Sequence, residues 1–288
     1  MTPQTTLQTT LQTAQHRRIE TAPFLPHNAG PSATWSSAGR AYDEISRGIA
    51  DAIEHAVERL APRPGERILD VATGTGWTAR RLAERGLDVT GVDFAPDVVA
   101  AARDFARART LDIAFEDGDA EALPYADAAF DAVISTFGVM FVQRPEDAAR
   151  ELARVCRKGG RLALATWTTD GNVFEMFKVM KAFMPKPAGS PPPSPFEWGN
   201  PDRVSALLGG AFDLTFEKGT SFYREPNGEA AWNTFSTGYG PLRTLAGKLD
   251  AAERAKLKAN FIAFHDGFAT ELGICVPRTY WVVLGTRR

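Results

Sequence analysis

The stretch that decides the fold is residues 68–77, ILDVATGTGW. Its apolar run, typical of a buried strand, includes Asp70 near its end, and Gly74 and Gly76 follow a few positions later. Because glycine has no Cβ, both positions allow a sharp turn and a close approach of the backbone to a ligand. The helix expected after the turn would direct its free N–H groups towards that ligand. The spacing Gly74-x-Gly76-x-x-Ala79 also fits a dinucleotide fingerprint, so this stretch alone leaves the ligand open.

The composition is that of a globular chain with a sizeable core. Of the 288 residues, 44% are hydrophobic and 24% are charged, and the formal net charge is -2. These values give no reason to propose a nucleic-acid partner. No apolar run approaches the roughly 20 residues of a membrane helix, and the first residues lack the basic and apolar regions of a secretory signal. We therefore expect a cytoplasmic protein without a membrane span.

The cysteines and histidines predict neither a disulfide framework nor a metal site. Cys156 and Cys275 lie far apart in the sequence, so reduced thiols are expected. The four histidines show no metal-ligand spacing. A metal centre is therefore not predicted.

Apolar runs alternate with helical patterns between residues 68 and 167. This spacing predicts a right-handed parallel α/β sheet with helices on both faces. Beyond Trp167 the alternation stops, and helical, proline-rich and strand-like segments follow. The predicted divisions are a mobile N-terminal tail at 1–30, an N-terminal helical cap segment at 31–62, a cofactor-binding core at 63–168, substrate-cap insertions at 169–210 and 225–277, and C-terminal strands at 211–224 and 278–288 that complete the core sheet.

Acidic residues after the second and third predicted strands narrow the choice of ligand. Asp93 ends the second strand, where a carboxylate can accept both hydroxyls of an adenosine ribose, as NAD or S-adenosylmethionine would require. Asp119 and Ala120 follow the third strand, where an acidic side chain can accept the adenine amino group and a backbone N–H can meet a ring nitrogen. Dinucleotide enzymes do not usually place such an acidic residue after the third strand. None of the five tyrosines has a lysine four positions on, so the Tyr–Lys pair of short-chain dehydrogenases is absent.

Further motifs follow one another in a fixed order. They are DVATGTG at 70–76, GVD at 91–93, GDAEALP at 118–124, FD at 130–131 and LARVCRKGG at 152–160. This ordered set resembles the class I S-adenosylmethionine-dependent methyltransferases, and in particular their ubiquinone/menaquinone methyltransferase-like branch, which includes enzymes acting on small molecules. Two residues depart from the pattern: Ala72 stands where the broad family often has glycine, and Trp77 where this branch often has an acidic residue. The chain beyond residue 168 does not resemble the quinone enzymes.

The resemblance implies an α/β, Rossmann-like, seven-stranded and mostly parallel sheet whose last strand is antiparallel. The N-terminal helix and the segments after residue 168 are expected to add a helical substrate cap. The resemblance also implies S-adenosyl-L-methionine as cofactor. Asp70 would help to hold its amino-acid end, Asp93 its ribose, and Asp119 with Ala120 its adenine, while residues 135–140 would line the methyl-transfer site. The predicted cofactor-binding residues are Tyr42, Asp70, Ala72, Gly74, Gly76, Asp93, Phe94, Asp119, Ala120, Ser135 and Phe137.

The predicted function is methyl transfer from S-adenosylmethionine to a small, largely apolar or aromatic acceptor. Such a transfer is an in-line displacement in which alignment supplies much of the catalysis. A hydroxyl or amine acceptor needs a base, and His265 beside Asp266 is the candidate. Two other functions stay open: an NAD-dependent oxidoreductase and a non-catalytic cofactor-binding regulatory protein. The predicted acceptor pocket is formed by Trp35, Met140, Trp167, Phe174, Phe177, Trp198 and Trp232.

Overall fold

The computed structural model describes residues 24–186, 189 and 191–288. Its strands form one sheet with the order β3-β2-β1-β4-β5-β8-β6, and the short β7 pairs with β8 outside this path. The strands are β1 (Arg67–Val71), β2 (Asp88–Asp93), β3 (Ala114–Asp117), β4 (Phe130–Thr136), β5 (Cys156–Trp167), β6 (Phe212–Glu225), β7 (Ala269–Thr270) and β8 (Gly273–Arg287).

The sheet is mostly parallel, which confirms the predicted fold class. Strands β3, β2, β1, β4 and β5 pair in parallel, whereas β8 runs antiparallel to both β5 and β6. The strand order reverses between β1 and β4, and ligands of open α/β sheets bind at the carboxyl ends of the strands at such a switch point. The glycine turn after β1 therefore faces the segment that follows β4.

Several of the helices are amphipathic, and together the helices cover the sheet and its carboxyl edge. In the helix that follows β2, Pro96 stands in the first turn, where its missing N–H is not needed, and Val98, Val99 and Ala102 are buried. The helices are α1 (Ala29–Ser36), α2 (Tyr42–Arg47), α3 (Ala50–Leu60), α4 (Trp77–Ala83), α5 (Pro96–Arg107), α6 (Pro145–Val155), α7 (Asn172–Lys181), α8 (Pro201–Leu208), α9 (Gly228–Gly238), α10 (Gly240–Lys248) and α11 (Ala251–Asp266).

The N-terminal part of the structure differs from the expected division of the chain. Most of the predicted mobile tail at 1–30 lies outside the described residues. The remainder, residues 24–30, forms a 3-10 turn at Pro26–Asn28 and the start of α1. This segment is held because the backbone N of Leu25 and the side chain of Asn28 donate hydrogen bonds to Asp119. The helical segment that was expected from residue 31 therefore begins earlier, with α1 at Ala29.

Strand β8 also begins earlier than the predicted boundary at residue 278. Residues 274–277 pair with β6 and Gly273 pairs with β7, although all five were expected to belong to the cap. Pro277 is tolerated because β8 at this point pairs with β6 alone; its pairing with β5 ends at Tyr280, opposite Trp167. The longer strand carries Val276 and Arg278 into the cap region.

Two further features of the described residues bear on the sequence predictions. No helix there has the length and apolar character needed to cross a bilayer. In the same part of the chain, no three or more His, Cys, Asp or Glu side chains are grouped so that they could hold a metal ion.

Candidate functional site

The chain turns sharply after β1. Ala72 (φ 55°), Gly74 (φ 57°) and Gly76 (φ 78°) adopt left-handed backbone conformations, which glycine reaches freely and alanine only at a cost. A Cβ on Gly74 would lie 3.0 Å from Cε1 of Tyr42, so Gly74 faces that ring. A Cβ on Gly76 would lie 2.5 Å from Cζ of Phe115. Packing against β3 therefore requires glycine at position 76, which lines neither of the cavities described below.

Asp70 supports this turn from behind. Its Oδ2 atom accepts hydrogen bonds from Oγ1 of Thr73 at 2.6 Å and from the backbone N of Ala79 at 3.1 Å. These bonds join β1 to the first turn of α4. Burial raises the pKa of Asp70 to about 7, although both hydrogen bonds oppose the shift. Asp70 lines neither cavity, so the structure places it in support of the turn and not at the predicted ligand contact.

Asp93, the last residue of β2, is fixed to the same turn. Its Oδ2 atom accepts a hydrogen bond from the backbone N of Gly74 at 2.8 Å, and Oδ1 accepts one from Ala95 at 2.9 Å. A carboxylate offers about four acceptor positions, so Asp93 keeps acceptor capacity for a hydroxyl group. Burial is the main reason that the pKa of Asp93 rises to about 6.

The N-terminal segment reaches Asp119, which follows β3. The Oδ2 atom of Asp119 accepts hydrogen bonds from the backbone N of Leu25 at 3.0 Å and from Nδ2 of Asn28 at 2.8 Å. The Nε2 atom of His27 lies 2.6 Å from Oε2 of Glu121. The Oδ1 atom of Asn28 is buried and has no partner among the described residues. Asn28 thus offers a vacant hydrogen-bond acceptor beside the predicted adenine-binding acid.

These elements line a partly open cavity with about 640 Å³ of empty space, which we call the acidic cavity. Its wall contains Asp93, Asp119 and Glu121, together with the glycine turn and the backbone that follows β4. The predicted cofactor-binding residues in its wall are Tyr42, Ala72, Gly74, Asp93, Phe94, Asp119, Ala120 and Phe137. Ser135 is buried instead, and its Oγ atom accepts a hydrogen bond from the backbone N of Val139 at 3.1 Å.

A second cavity of about 630 Å³, the aromatic cavity, adjoins the first. Four aromatic residues line both cavities: Trp35, Tyr42, Phe137 and Phe141. We call this set the aromatic partition. Phe137 adopts a left-handed φ of 60° and stacks on Trp167, with ring centroids 4.0 Å apart. A bulky residue in this conformation is an outlier of the kind that clusters at functional sites.

The structure brings only part of the predicted acceptor pocket together. Trp35, Trp167 and Phe177 line the aromatic cavity. The other four predicted residues lie outside its wall: Met140 and Trp198 are fully buried in the core, Phe174 packs edge-on against Phe196, and Trp232 packs against Phe261. Phe174 lies outside the wall because Met176 and Phe177 occupy the face of α7 that lines the cavity, whereas Phe174 is on another face of the same helix.

His265 lines the aromatic cavity from α11. Its Nδ1 atom lies 2.8 Å from the backbone oxygen of Phe261. A carbonyl oxygen only accepts, so Nδ1 carries the proton and Nε2 is the basic nitrogen of the neutral ring. Burial, aided by the charge of Arg278, lowers the pKa of His265. Asp266 does not orient the ring, because its Oδ1 atom accepts a hydrogen bond from the backbone N of Gly228 at 2.7 Å.

Several residues of the two cavities were missed by sequence reasoning. Asn28 fell within the predicted tail, and Phe141 and Tyr239 carry no motif. Arg278 did leave a signal: it interrupts the alternating buried positions of β8, which are otherwise apolar or aromatic, such as Val276 and Tyr280. A charged residue in such a strand points to a buried polar site.

The segment that builds much of the acidic cavity resembles known methyltransferases. Residues 69–164 match the family model of a methyltransferase domain. An uncharacterised protein of Mycobacterium tuberculosis is 40% identical over 147 residues, which cover 51% of this chain and 53% of that protein. A demethylmenaquinone methyltransferase of Beutenbergia cavernae is 43% identical over 113 residues, which cover 39% of this chain and 45% of that enzyme. The chain spans about half the length of these curated relatives.

Solved structures share the fold. The YcgJ protein of Bacillus subtilis aligns with a TM-score of 0.57 at 20% identity, covering 83% of this chain and 98% of that protein. The family match, the curated relatives and the sheet topology agree with the ordered motifs of the sequence. Residues 69–164 therefore match a methyltransferase domain and resemble the class I S-adenosylmethionine-dependent family, in a chain whose fold is shared with the solved structure.

Proposed function

We propose that this protein transfers a methyl group from S-adenosylmethionine to a small acceptor with a largely apolar or aromatic body. The observation that carries the proposal is the contact between the two cavities. The acidic cavity and the aromatic cavity adjoin, and they share the aromatic partition of Trp35, Tyr42, Phe137 and Phe141. A cofactor on one side and an acceptor on the other would meet at these rings.

The residues of the acidic cavity suit the three parts of the cofactor. Asp93 keeps acceptor capacity for a ribose hydroxyl, and the vacant Oδ1 atom of Asn28 suits the adenine amino group beside Asp119. Gly74 lines the same cavity and, having no side chain, would let the methionine part approach the backbone of the turn. When bound, S-adenosylmethionine supplies a methyl group on a positively charged sulfur, for which a neutral thioether is the leaving group.

The aromatic partition suits the reacting centre. Aromatic faces attract a cation through the quadrupole of the ring, so the faces of Tyr42 and Phe137 would hold a sulfonium at the junction of the cavities. The walls on either side are largely apolar and would exclude water and fix the line of approach. Orientation of two reactants contributes several kcal/mol to such a displacement, about 7–11 kcal/mol in the most favourable systems.

A hydroxyl or amine acceptor also loses a proton during the reaction. We assign the basic Nε2 atom of His265 to this role, because Nδ1 is engaged with Phe261 and the residue lines the aromatic cavity. The lowered pKa of His265 keeps the ring neutral at neutral pH, which a proton acceptor requires.

The curated relatives do not extend the proposal to a particular acceptor. The match to the demethylmenaquinone methyltransferase covers 39% of this chain, and the residues of the aromatic cavity come largely from α2, α7, α9, α11 and β8. These helices and strands lie outside the family match at 69–164. A quinone acceptor is therefore not part of the proposal.

Binding experiments separate the proposed function from the two alternatives. We expect S-adenosylhomocysteine to raise the melting temperature of the purified chain and NADH to leave it unchanged. The reverse result would favour an oxidoreductase and overturn the proposal. Methyl transfer is then measured with radiolabelled S-adenosylmethionine and a library of aromatic phenols, amines and carboxylates. Tight cofactor binding without transfer to any member would favour a regulatory protein.

A further inference from the structure

The aromatic cavity contains one buried cation, Arg278 of β8. The residue is 7% exposed and lines the cavity. Of its three guanidinium nitrogens, Nη2 alone forms hydrogen bonds with described residues: it donates to the backbone oxygen of Gly48 and, at 3.4 Å, to Oγ of Ser221. The Nε atom is buried without a partner. Arg278 therefore has unused donors in an apolar setting.

No acidic side chain in the described part of the chain forms an ion pair with Arg278. The carboxylate linked to it is that of Asp51, which is exposed and is reached through Ser221, whose Oγ atom donates to Oδ1 of Asp51 at 2.7 Å. Another buried arginine, Arg80, differs in this respect, because its Nη2 atom contacts Oδ1 of Asp43 at 2.8 Å. A buried charge without a partner is costly.

Burial lowers the pKa of Arg278 to about 10, so the guanidinium is still charged at neutral pH. The cost of this buried charge would be offset by an anion that enters the cavity. The other polar side chains of the wall do not supply one, since His265 is neutral and Asn172 donates to the backbone oxygen of Pro277 at 2.8 Å. The hydroxyl of Tyr223 donates to Glu225 and keeps its proton, because burial and this neighbour raise its pKa.

The position of Arg278 relates it to the reacting centre. Its guanidinium carbon lies 5.5 Å from the ring centroid of Trp167 and 5.0 Å from that of Tyr223. Trp167 stacks on Phe137 of the aromatic partition at 4.0 Å. The cation and the aromatic partition are thus separated by a single indole ring along the wall of the cavity.

We propose that Arg278 binds a carboxylate of the acceptor, so that the substrate is a small aromatic or apolar carboxylic acid whose methylated atom lies about one ring away from the carboxylate. This inference rests on the proposed function for the assignment of the cavity to the acceptor. One cation in a largely apolar wall neutralises one negative charge, which favours a carboxylate over a doubly charged phosphate. Hydrogen bonds from a guanidinium to a carboxylate are among the stronger ones in proteins.

Calorimetry with a matched pair of probes tests this site. The compounds are 2-naphthoate and its neutral amide, 2-naphthamide, titrated into the full chain with and without saturating S-adenosylhomocysteine. We expect naphthoate to bind at least about tenfold more tightly than naphthamide, since a hydrogen bond between two charged groups is stronger than one to a neutral amide. Equal affinities, or no binding of naphthoate at millimolar concentration, would overturn the proposal. This comparison needs no variant.

Variants then locate the effect. In Arg278→Gln the preference for naphthoate is expected to disappear while naphthamide binds as before, and Arg278→Lys is expected to retain part of the preference. Arg224→Gln, which removes an exposed cation from the adjacent strand β6, serves as control and should keep the full preference. If Arg278→Gln keeps the preference, the carboxylate is bound elsewhere and the assignment is wrong. A loss of affinity for both probes would indicate a structural role, through the bond to Gly48, and would also overturn it.

The same titrations distinguish failure of this inference from failure of the proposed function. Binding of S-adenosylhomocysteine without any preference for naphthoate would leave the methyltransferase proposal standing and remove the carboxylate site. A preference for naphthoate that depends on Arg278, in a protein that does not bind S-adenosylhomocysteine, would support the carboxylate site and overturn the methyltransferase proposal.

Discussion

Nδ2 of Asn28 lies 2.8 Å from Oδ2 of Asp119, although the two residues are 91 positions apart in the sequence. This bond fastens the N-terminal segment to the end of the acidic cavity where adenine is expected. It also fixes the amide of Asn28, whose Oδ1 atom is left buried and without a partner in the described residues. The N-terminal segment therefore forms part of the cavity wall and would enclose the cofactor.

Asn28→Ala is expected to weaken binding of S-adenosylhomocysteine by roughly 1–3 kcal/mol, because one acceptor for the adenine amino group and the anchor of the segment are lost together. Calorimetry at pH 7.5 measures this change. Thr34→Ala is the control, since its exposed Oγ1 atom bonds only to the backbone of its own helix. Unchanged affinity in Asn28→Ala would remove Asn28 from the adenine site.

Asp93→Ala should cost roughly 1.5–3 kcal/mol of cofactor affinity if its hydrogen bond to the ribose is lost. The variant also removes the acceptor of the Gly74 N–H, so the glycine turn becomes less well fixed. Asp88→Asn provides the matched control, because Asp88 is the exposed first residue of the same strand. An affinity for S-adenosylhomocysteine equal to that of the control would contradict the ribose assignment.

The buried carboxyl of Asp70 should make the stability of the cofactor-free protein depend on pH. Its pKa is about 7 in the folded chain and about 4 in the unfolded chain, so the folded state binds the extra proton between these values. The contribution of Asp70 to the free energy of unfolding therefore increases as the pH falls from 8 to about 5. The slope from one such group is at most about 1.4 kcal/mol per pH unit.

Asp70→Asn keeps an oxygen for the hydrogen bonds from Thr73 and Ala79 but does not titrate. The stability of this variant relative to the native chain should be most favourable at pH 8 and should decline towards pH 5. Urea unfolding followed by tryptophan fluorescence at both pH values gives the difference. A difference that is the same at both pH values would exclude titration of Asp70 in this range.

Substitutions of Tyr42 test whether the aromatic partition contributes to the proposed site. Tyr42→Phe keeps the ring opposite Gly74 and should retain most of the affinity for S-adenosylmethionine, whereas Tyr42→Leu should weaken this affinity roughly two- to thirtyfold through the lost cation–π attraction of about 0.5–2 kcal/mol. The effect is on binding because the sulfonium is fully charged in the bound cofactor and loses its charge towards the transition state. Calorimetry with S-adenosylmethionine measures the change, and similar affinities in both variants would show that the aromatic face is not needed there.

His265→Gln should lower kcat by about 100-fold or more with hydroxyl or amine acceptors, because Gln cannot accept the proton. In the native chain the proposed methyl transfer should slow as the pH drops through the lowered pKa of His265, and this acid limb should vanish in the variant. His55→Gln is the control: His55 contacts the hydroxyl of Tyr280 at 3.0 Å and lies outside both cavities. A pH–rate profile unchanged in His265→Gln would exclude the residue as the base.

The sequence was most informative where function depends on local backbone. The turn at Gly74 and Gly76, the acid at the end of β2 and the alternation of strands with helices are all short-range patterns. They follow from the absence of a Cβ, from strand length and from the periodicity of burial, so they could be predicted without contacts between distant parts of the chain. Even so, Gly76 and Asp70 serve the turn in the structure and do not line the cavity.

The tertiary structure decided which distant side chains share a wall. Trp198 and Trp232 are residue types expected in an acceptor pocket, but they pack in the core. Asn28 and Arg278, which belong to no motif, reach the two cavities from opposite ends of the chain. The physical reason is the distance along the sequence over which each feature is determined. A β-turn or an amphipathic helix is fixed within a few residues, whereas the direction of a side chain towards a cavity depends on how whole helices and strands pack. The sequence thus determined the resemblance to methyltransferases, the mostly parallel sheet and the glycine turn, and only packing brought the N-terminal segment, α11 and β8 around the two cavities.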